Sequence, residues 1–426
     1  MSSSTRYLLI ILGVAFLLVV LWFLKSIVAY ILIAAVAAQI LFTWQVVNNY
    51  RYFVKKHKRP RLGYHPRCIL IVPCKGKDET FETNIKSLLY QNYSKYSVLF
   101  VVQDTLDPAY QCLSNIIKNE TAKSKALSIQ ILTAGISQCC SQKLHNLLYA
   151  YKHIPDDAEI LAFADSDVNA GINWLAHLVY PLRKKRNGLS SGYRWFVPEK
   201  NNIASLALSA MNAKICQMLG NTRLNLAWGG SMAITVEKFR NLNIEQIWQK
   251  ALSDDLSISR CVRKAGLKIT FVPACLITTY QSSTWSNLWE FGRRQFIITR
   301  IYSPVMWLFG LMSSIFSVAG LWGGIGLAIW ANYNNVNYAI LAIIVPSAFW
   351  GCQFCRAIVR QKLIFKLLPQ QKKRLRPVRI ADIFFCWVWS IIFMIIMLST
   401  IFGRTILWRG IKYKIKSPLN IEILER

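Results

Sequence analysis

Acidic residues recur in this chain where apolar runs stop. The run Glu159-Ile-Leu-Ala-Phe163 ends in Ala164-Asp-Ser-Asp-Val168, passing from hydrocarbon to carboxylate within two residues. Two acids separated by a small Ser, Asp165 and Asp167, offer hard oxygen ligands of the kind Mg²⁺ or Mn²⁺ takes. Taken alone the same segment also suits a turn, because Asp and Ser are common turn residues. Asp104 closes a second apolar run, Ser97 to Val102. A third acidic pair, Asp254-Asp255, opens a stretch with helical spacing at Leu256, Ile258, Cys261 and Val262. An acid there either complements a helix N-terminus as its cap or serves as a general base. Lys143 follows a Ser/Gln-rich loop and has the charge to pair with a phosphate, against the usual surface exposure of lysine.

These residues need a scaffold that brings strand ends together. From Arg67 the chain alternates strand-like and helix-like runs: Cys68–Val72, Phe81–Tyr90, Ser97–Val102, a helix opened by Asp107-Pro108, Ile129–Thr133, Gln142–Tyr151, and the run that ends at Asp165. Repeated β-α units of this kind predict an α/β domain with a mainly parallel sheet and helices on both faces. Ligands of such sheets bind outside the carboxyl ends of the strands, so Asp104 and Asp165 are expected at one edge.

The chain has 426 residues, 54% of them hydrophobic, with a formal charge of +31. That combination fits a basic membrane protein better than a nucleic-acid binder, since no basic helix or aromatic RNA-binding signature is present. Residues 7–47 are apolar apart from Lys25-Ser26 and read as two spans, 7–24 and 27–47, at about 20 residues per crossing. The basic stretch from Arg51 to Arg61 places the following domain in the cytosol. Trp285, Trp289 and Phe296 mixed with Arg293, Arg294 and Arg300 predict a helix lying in the membrane interface over 284–304. Apolar segments follow near 305–330, 338–358 and 380–403. The loop 331–337 has no Lys or Arg and reads as external, whereas 361–379 and the tail are basic and read as internal. Three full crossings do not satisfy that pattern, so either 380–403 is re-entrant or a span is miscounted. The predicted organisation is an N-terminal anchor (1–50), a cytosolic catalytic domain (51–283), an interfacial helix (284–304), membrane segments (305–403) and a basic cytosolic tail (404–426). Nothing marks an organelle, so the plasma membrane is the default. The 11 scattered cysteines read as buried thiols in a reducing setting.

The ordered set Lys75-Gly-Lys-Asp78, Asn84, Leu88, Tyr93, Tyr96, Val102-Gln-Asp-Thr-Leu-Asp-Pro108, Lys143-Leu-His-Asn-Leu147, Asp165-Ser-Asp167, Trp228-Gly-Gly-Ser-Met232 and Asp254-Asp255-Leu256 resembles ceramide glucosyltransferases. These are family 2 glycosyltransferases with the GT-A (nucleotide-diphospho-sugar transferase) fold, and the resemblance covers roughly 66–305. It implies that Asp104 faces the base and ribose of a UDP-sugar and that Asp165 holds a divalent ion, Mg²⁺ or Mn²⁺, on the diphosphate. Asp167 stands where animal members carry Gly. Lys143 and Asn146 match a nucleotide-sugar-binding segment, and Asp255 matches the base that deprotonates the acceptor hydroxyl. Asp254 and Trp228 fall among acceptor- and diphosphate-binding positions. The usual Q/R-x-x-R-W is replaced by Phe291-Gly-Arg-Arg-Gln-Phe296, similar to plant-type members, with the choice among Arg293, Arg294 and Gln295 open.

The expected function is therefore inverting transfer of a hexose, glucose from UDP-glucose first, to the hydroxyl of a ceramide-like membrane lipid. Transfer to diacylglycerol or another lipid, a polysaccharide synthase, and an inactive scaffold binding anionic lipid are the alternatives. The retained acids weigh against the last. The missing Q-x-x-R-W and the few spans available for a pore weigh against the synthase.

Overall fold

The computed structural model describes residues 13–14, 27–57 and 63–426. Its first long element, α1 (Ile27–His57), continues through the expected second span into the basic stretch. The expected first span, 7–24, lies outside the described residues except at 13–14. Apolar side chains of α1, among them Ile31, Leu41 and Trp44, are exposed.

Alternation then builds the sheet. In β1 (Cys68–Pro73) Cys68, Leu70 and Val72 enter one core and Ile69 and Ile71 the other, so both faces are covered and the run reads as continuously apolar. The helix α2 (Phe81–Leu89) buries Phe81, Ile85, Leu88 and Leu89. After β2 (Tyr96–Val102), α3 (Pro108–Glu120) starts at Asp107, whose carboxylate accepts from the Ala109 N–H at 2.8 Å with Pro108 at the first helical position. The same oxygen accepts from the Gly76 N–H at 2.8 Å and so fastens the loop after β1. Next come β3 (Ile129–Thr133), α4 (Gln142–Tyr151), capped by Ser141, and β4 (Ile160–Ala164). Further elements of the domain include β5 (Asn187–Val197), α5 (Ile203–Cys216), β6 (Ser231–Thr235), α6 (Asp254–Lys264) and β7 (Lys268–Tyr280).

The seven strands run in the order β3-β2-β1-β4-β6-β5-β7. Only β6 among them runs against the rest, pairing antiparallel with β4 and β5. The sheet is thus mainly parallel and mixed. Chain direction switches sides between β1 and β4, which opens the crevice that α/β sheets use for ligands.

Past the sheet, α7 (Trp285–Tyr302) occupies the stretch expected to be interfacial. Among the described residues three helices are long and apolar enough to cross a membrane: α1, α8 (Pro304–Tyr333) and α9 (Ala339–Leu367). The expected segment 380–403 is not one helix. It is divided between α10 (Pro369–Phe384) and α11 (Cys386–Leu398), which meet at a bend of 83°. The basic tail folds into a three-stranded antiparallel sheet of β8 (Thr405–Trp408), β9 (Ile411–Ser417) and β10 (Asn420–Glu425). None of the 11 cysteines is in a disulfide, but Cys139 and Cys355 are exposed, so burial does not extend to all the thiols as expected.

Candidate active site

A cavity of about 730 Å³ opens at the carboxyl edge of the sheet. Strand ends supply one wall: Cys74 and Lys75 after β1, Asp165 and Asp167 after β4, and Thr278 to Gln281 around the end of β7. Because β6 is antiparallel, its entry segment, Trp228-Gly229, reaches the same edge. The first turns of α4 and α6 add Lys143, Asn146, Asp254 and Asp255.

Asp254 and Asp255 have different surroundings although they are adjacent. The helix cap is Ser253, not an acid: its hydroxyl accepts from the Leu256 N–H at 3.1 Å. Asp254 is buried, and Lys143 Nζ lies 2.8 Å from its Oδ2 and 2.7 Å from Asp165 Oδ1. Lys143 is therefore a nearly buried bridge between two acids. Burial pulls its pKa down, but the charges of Asp165, Asp254 and Asp255 outweigh that and hold it above its ordinary value. Burial, with Asp255 and Asp165 nearby, pushes the Asp254 carboxyl up to about 6 against the pull of Lys143. Asp255 is half-buried at the cavity wall. Its Oδ1 accepts from Ser253 Oγ at 2.5 Å and the Leu256 N–H at 2.7 Å, and its Oδ2 accepts from the Gly229 N–H at 3.2 Å. Oδ2 keeps lone-pair capacity for a further hydrogen.

Gly229 is required for this packing. A Cβ there would stand 2.3 Å from Asp254 Oδ2 and 2.8 Å from Lys143 Nζ. Asn146 is buried beside them, accepting from Gln142 Nε2 at 2.9 Å through its Oδ1.

The structure also separates the three candidates on α7. Arg294 and Gln295 line the cavity. Arg293 points elsewhere, donating to the Ser399 carbonyl at 3.0 Å beyond the end of α11. Burial, with the charges of Arg194 and Arg409, lowers the Arg294 pKa to about 10, which leaves it a cation at neutral pH. Asp104 does not line this cavity: β2 lies one strand beyond the crevice, and its carboxylate accepts from the Leu106 N–H at 2.9 Å in the turn after that strand.

Sequence reasoning missed Arg194. It stands in β5 with its guanidinium 4.8 Å from the Phe196 ring centre, 5.4 Å from Phe291 and 5.6 Å from Trp228. The signal was an arginine inside the apolar strand Tyr193-Arg-Trp-Phe-Val197. Burial and the Asp165 charge push the Asp167 carboxyl up, opposed by Arg194, Arg409 and Lys143. Among the described residues no three His, Cys, Asp or Glu side chains gather as a metal cage. Asp165 and Asp167 still fit Mg²⁺ or Mn²⁺, because Mg²⁺ is commonly held by one or two carboxylates, with substrate phosphates and water completing its shell.

The sequence profile of glycosyl transferase family 21 matches residues 26–421, nearly the whole chain. The chain belongs to that family. Family 21 membership makes it a glycosyltransferase, and the match runs from α1 into the C-terminal sheet. No curated protein matches it. Among solved structures, a mannosyltransferase from Pyrobaculum calidifontis in complex with GDP-mannose and Mn²⁺ is similar at 13% identity and a TM-score of 0.44, over 86% of this chain and 98% of that one. GalNAc-T7 with UDP, GalNAc and Mn²⁺ is similar at 12% identity and a TM-score of 0.39, over 59% of this chain and 51% of that one.

Proposed function

We propose that this family 21 glycosyltransferase moves a hexose, glucose from UDP-glucose first, onto the hydroxyl of a ceramide-like membrane lipid, with inversion. On this reading its sheet domain is of the GT-A type, and α1, α8 and α9 hold it in a membrane with the cavity on the cytosolic side. One observation carries the reading: the cavity that presents Asp165, Asp167 and Asp255 continues along an apolar wall of Leu208, Met211, Phe296, Met306 and Phe309. Met306 and Phe309 belong to α8, so the wall leads from the acids to a helix of membrane length. A polar sugar donor fits the sheet edge, and a lipid chain fits that wall.

Asp165 and Asp167 would hold Mg²⁺ or Mn²⁺, which, when bound, neutralises charge on the donor diphosphate. Arg294 and Gln295 face the same space and bind the departing phosphate oxygens. Asp255 accepts the acceptor hydroxyl proton at Oδ2 while the acceptor oxygen bonds to the anomeric carbon. The bond from that carbon to the diphosphate oxygen breaks, and the nucleoside diphosphate leaves with the electron pair. A single displacement inverts the configuration and forms no sugar–enzyme bond. The Gly229 and Leu256 N–H groups orient Asp255 for this role.

The test is transfer of labelled glucose by protein in lipid nanodiscs, given UDP-glucose, Mg²⁺ or Mn²⁺, and a panel of ceramide, diacylglycerol and sterol-like acceptors. Wild type should label one acceptor class. Asp255→Asn should lose at least about a hundredfold in rate, the low end for a general base, while still binding UDP. Labelling by Asp255→Asn at the wild-type rate removes the base from the mechanism. No labelled lipid in any arm, with UDP still binding, removes the acceptor or the sugar.

A further inference from the structure

The tail sheet also reaches the cavity, through a turn to which nothing above assigns a task. Strand β8 ends at Trp408 and β9 begins at Ile411, so Arg409 and Gly410 alone make the hairpin turn. Both have positive φ, 51° and 82°. That is the tight turn for which Asn-Gly is the favoured pair, since Asn tolerates the left-handed region far better than a long side chain does. An arginine held there against local preference is a reason to look for a function.

The hairpin is fixed over the site. Lys75 Nζ donates to the Arg409 carbonyl at 3.2 Å, and the Gln142 N–H donates to Tyr413 Oη at 3.4 Å. Ile411 and Tyr413 pack in the same core as Leu144 and Leu147 of α4. Trp408 and Arg409 line the cavity together with Asp165 and Asp167. Arg194 from β5, Arg294 from α7 and Arg409 from the turn thus converge from three directions. Among the described residues none of the three is ion-paired to a carboxylate. Three guanidiniums facing one space repel each other when it is empty and gain when a polyanion enters.

We infer that Arg409 is a donor-binding residue: the C-terminal hairpin places its guanidinium on the diphosphate of the nucleotide sugar and so completes the donor site. This rests on the glycosyl-donor reading above. It gives the tail sheet a role in binding substrate, and it accounts for an arginine where the backbone favours asparagine.

The experiment compares full-length wild type, Arg409→Asn and Arg409→Lys in nanodiscs with Mg²⁺ or Mn²⁺. Binding of UDP, GDP and the parent nucleosides is measured, with ligand-free Tm alongside. Asparagine suits the turn, so Arg409→Asn should keep or raise Tm while weakening the diphosphate tenfold or more and leaving the nucleoside unchanged. Arg409→Lys should retain part of the diphosphate affinity. Equal diphosphate binding by wild type and Arg409→Asn overturns the role of Arg409 alone. A fall in Tm with parallel loss of diphosphate and nucleoside makes the residue merely structural and also overturns it. Wild type that binds neither diphosphate with either metal overturns the donor reading and this inference with it.

Discussion

Lys143 shows how strongly a single side chain can be committed at this site. Its ammonium sits between Asp165 and Asp254, and the Gly229 backbone closes over the pair with no room for a Cβ. Removing one partner of a buried ion pair leaves the other desolvated and uncompensated, at a cost of roughly 3–5 kcal/mol. Lys143→Met is therefore expected to lower thermal stability markedly, and Asp254→Asn added to it should restore much of the loss, because the two changes share one interaction. A Lys143→Met protein that melts with wild type would contradict the bridge. The placement of these acids was legible beforehand: acids where apolar strands stop are a local pattern, and local patterns survive in sequence. The bridge was not, since Lys143 and Asp254 meet only through the register of β1, β4 and β6. Nor was the division of labour between Arg293 and Arg294, which depends on which side of α7 meets α11.

At the scale of elements, the units that could be read from sequence are those with their own period and caps. The spacing of Phe81, Ile85, Leu88 and Leu89, and the Asp107-Pro108 start of α3, correspond directly to helices that pack as neighbours. Those two helices are tied by Glu120, which takes Lys86 Nζ at 3.0 Å, Lys123 Nζ at 3.4 Å and the Tyr90 hydroxyl. The hydrogen bonds from Tyr90 and Lys86 hold the Glu120 carboxyl down to about 2 from an ordinary 4.5. A carboxyl depressed in the folded state adds stability above its unfolded pKa, and that stability fades as pH falls through the folded value. Glu120→Gln should therefore melt below wild type at every pH above about 4.5, the gap closing toward pH 2. Melting curves across that range test it, and a gap that stays constant on acidification would refute the assignment. Two elements escaped the same reading for opposite reasons. In β9 the alternation of Ile411, Tyr413 and Ile415 with Lys412, Lys414 and Lys416 is a strand signal, but the charge made it read as a tail. The 83° break between α10 and α11 is invisible to summed hydropathy, which records apolar content and not direction.

At the scale of the whole molecule, the parity problem that charge alone left open becomes a prediction. Ile406, Ile411, Tyr413 and Ile415 of the tail sheet share a core with α4, so the chain after α11 packs on the seven-stranded sheet domain. On the membrane reading proposed above, the number of crossings between α7 and β8 must then be even. If α8 and α9 both cross, as proposed above, they make two, out through the loop at 334–338, which lacks Lys and Arg, and back toward Lys362 and Lys366. A third crossing would carry Arg409 and Tyr413 to the far side of the membrane from Asp165. On that reading the α10–α11 pair is expected to enter and leave on one face. Its dimensions agree: α11 has 13 residues, about 20 Å at 1.5 Å per residue, short of a hydrocarbon core of about 30 Å. On that reading the 83° bend would let basic α10 lie along headgroups while apolar α11 dips inward. Epitope tags in sealed, oriented vesicles decide the matter, placed in the exposed loop at 199–202, at Asn335 and after Arg426. The first and last should be protected or exposed together, with the tag at Asn335 opposite to both. If the C-terminal tag instead falls on the side of Asn335, α10 and α11 cross as one broken span, and the tail sheet cannot be a wall of the donor site.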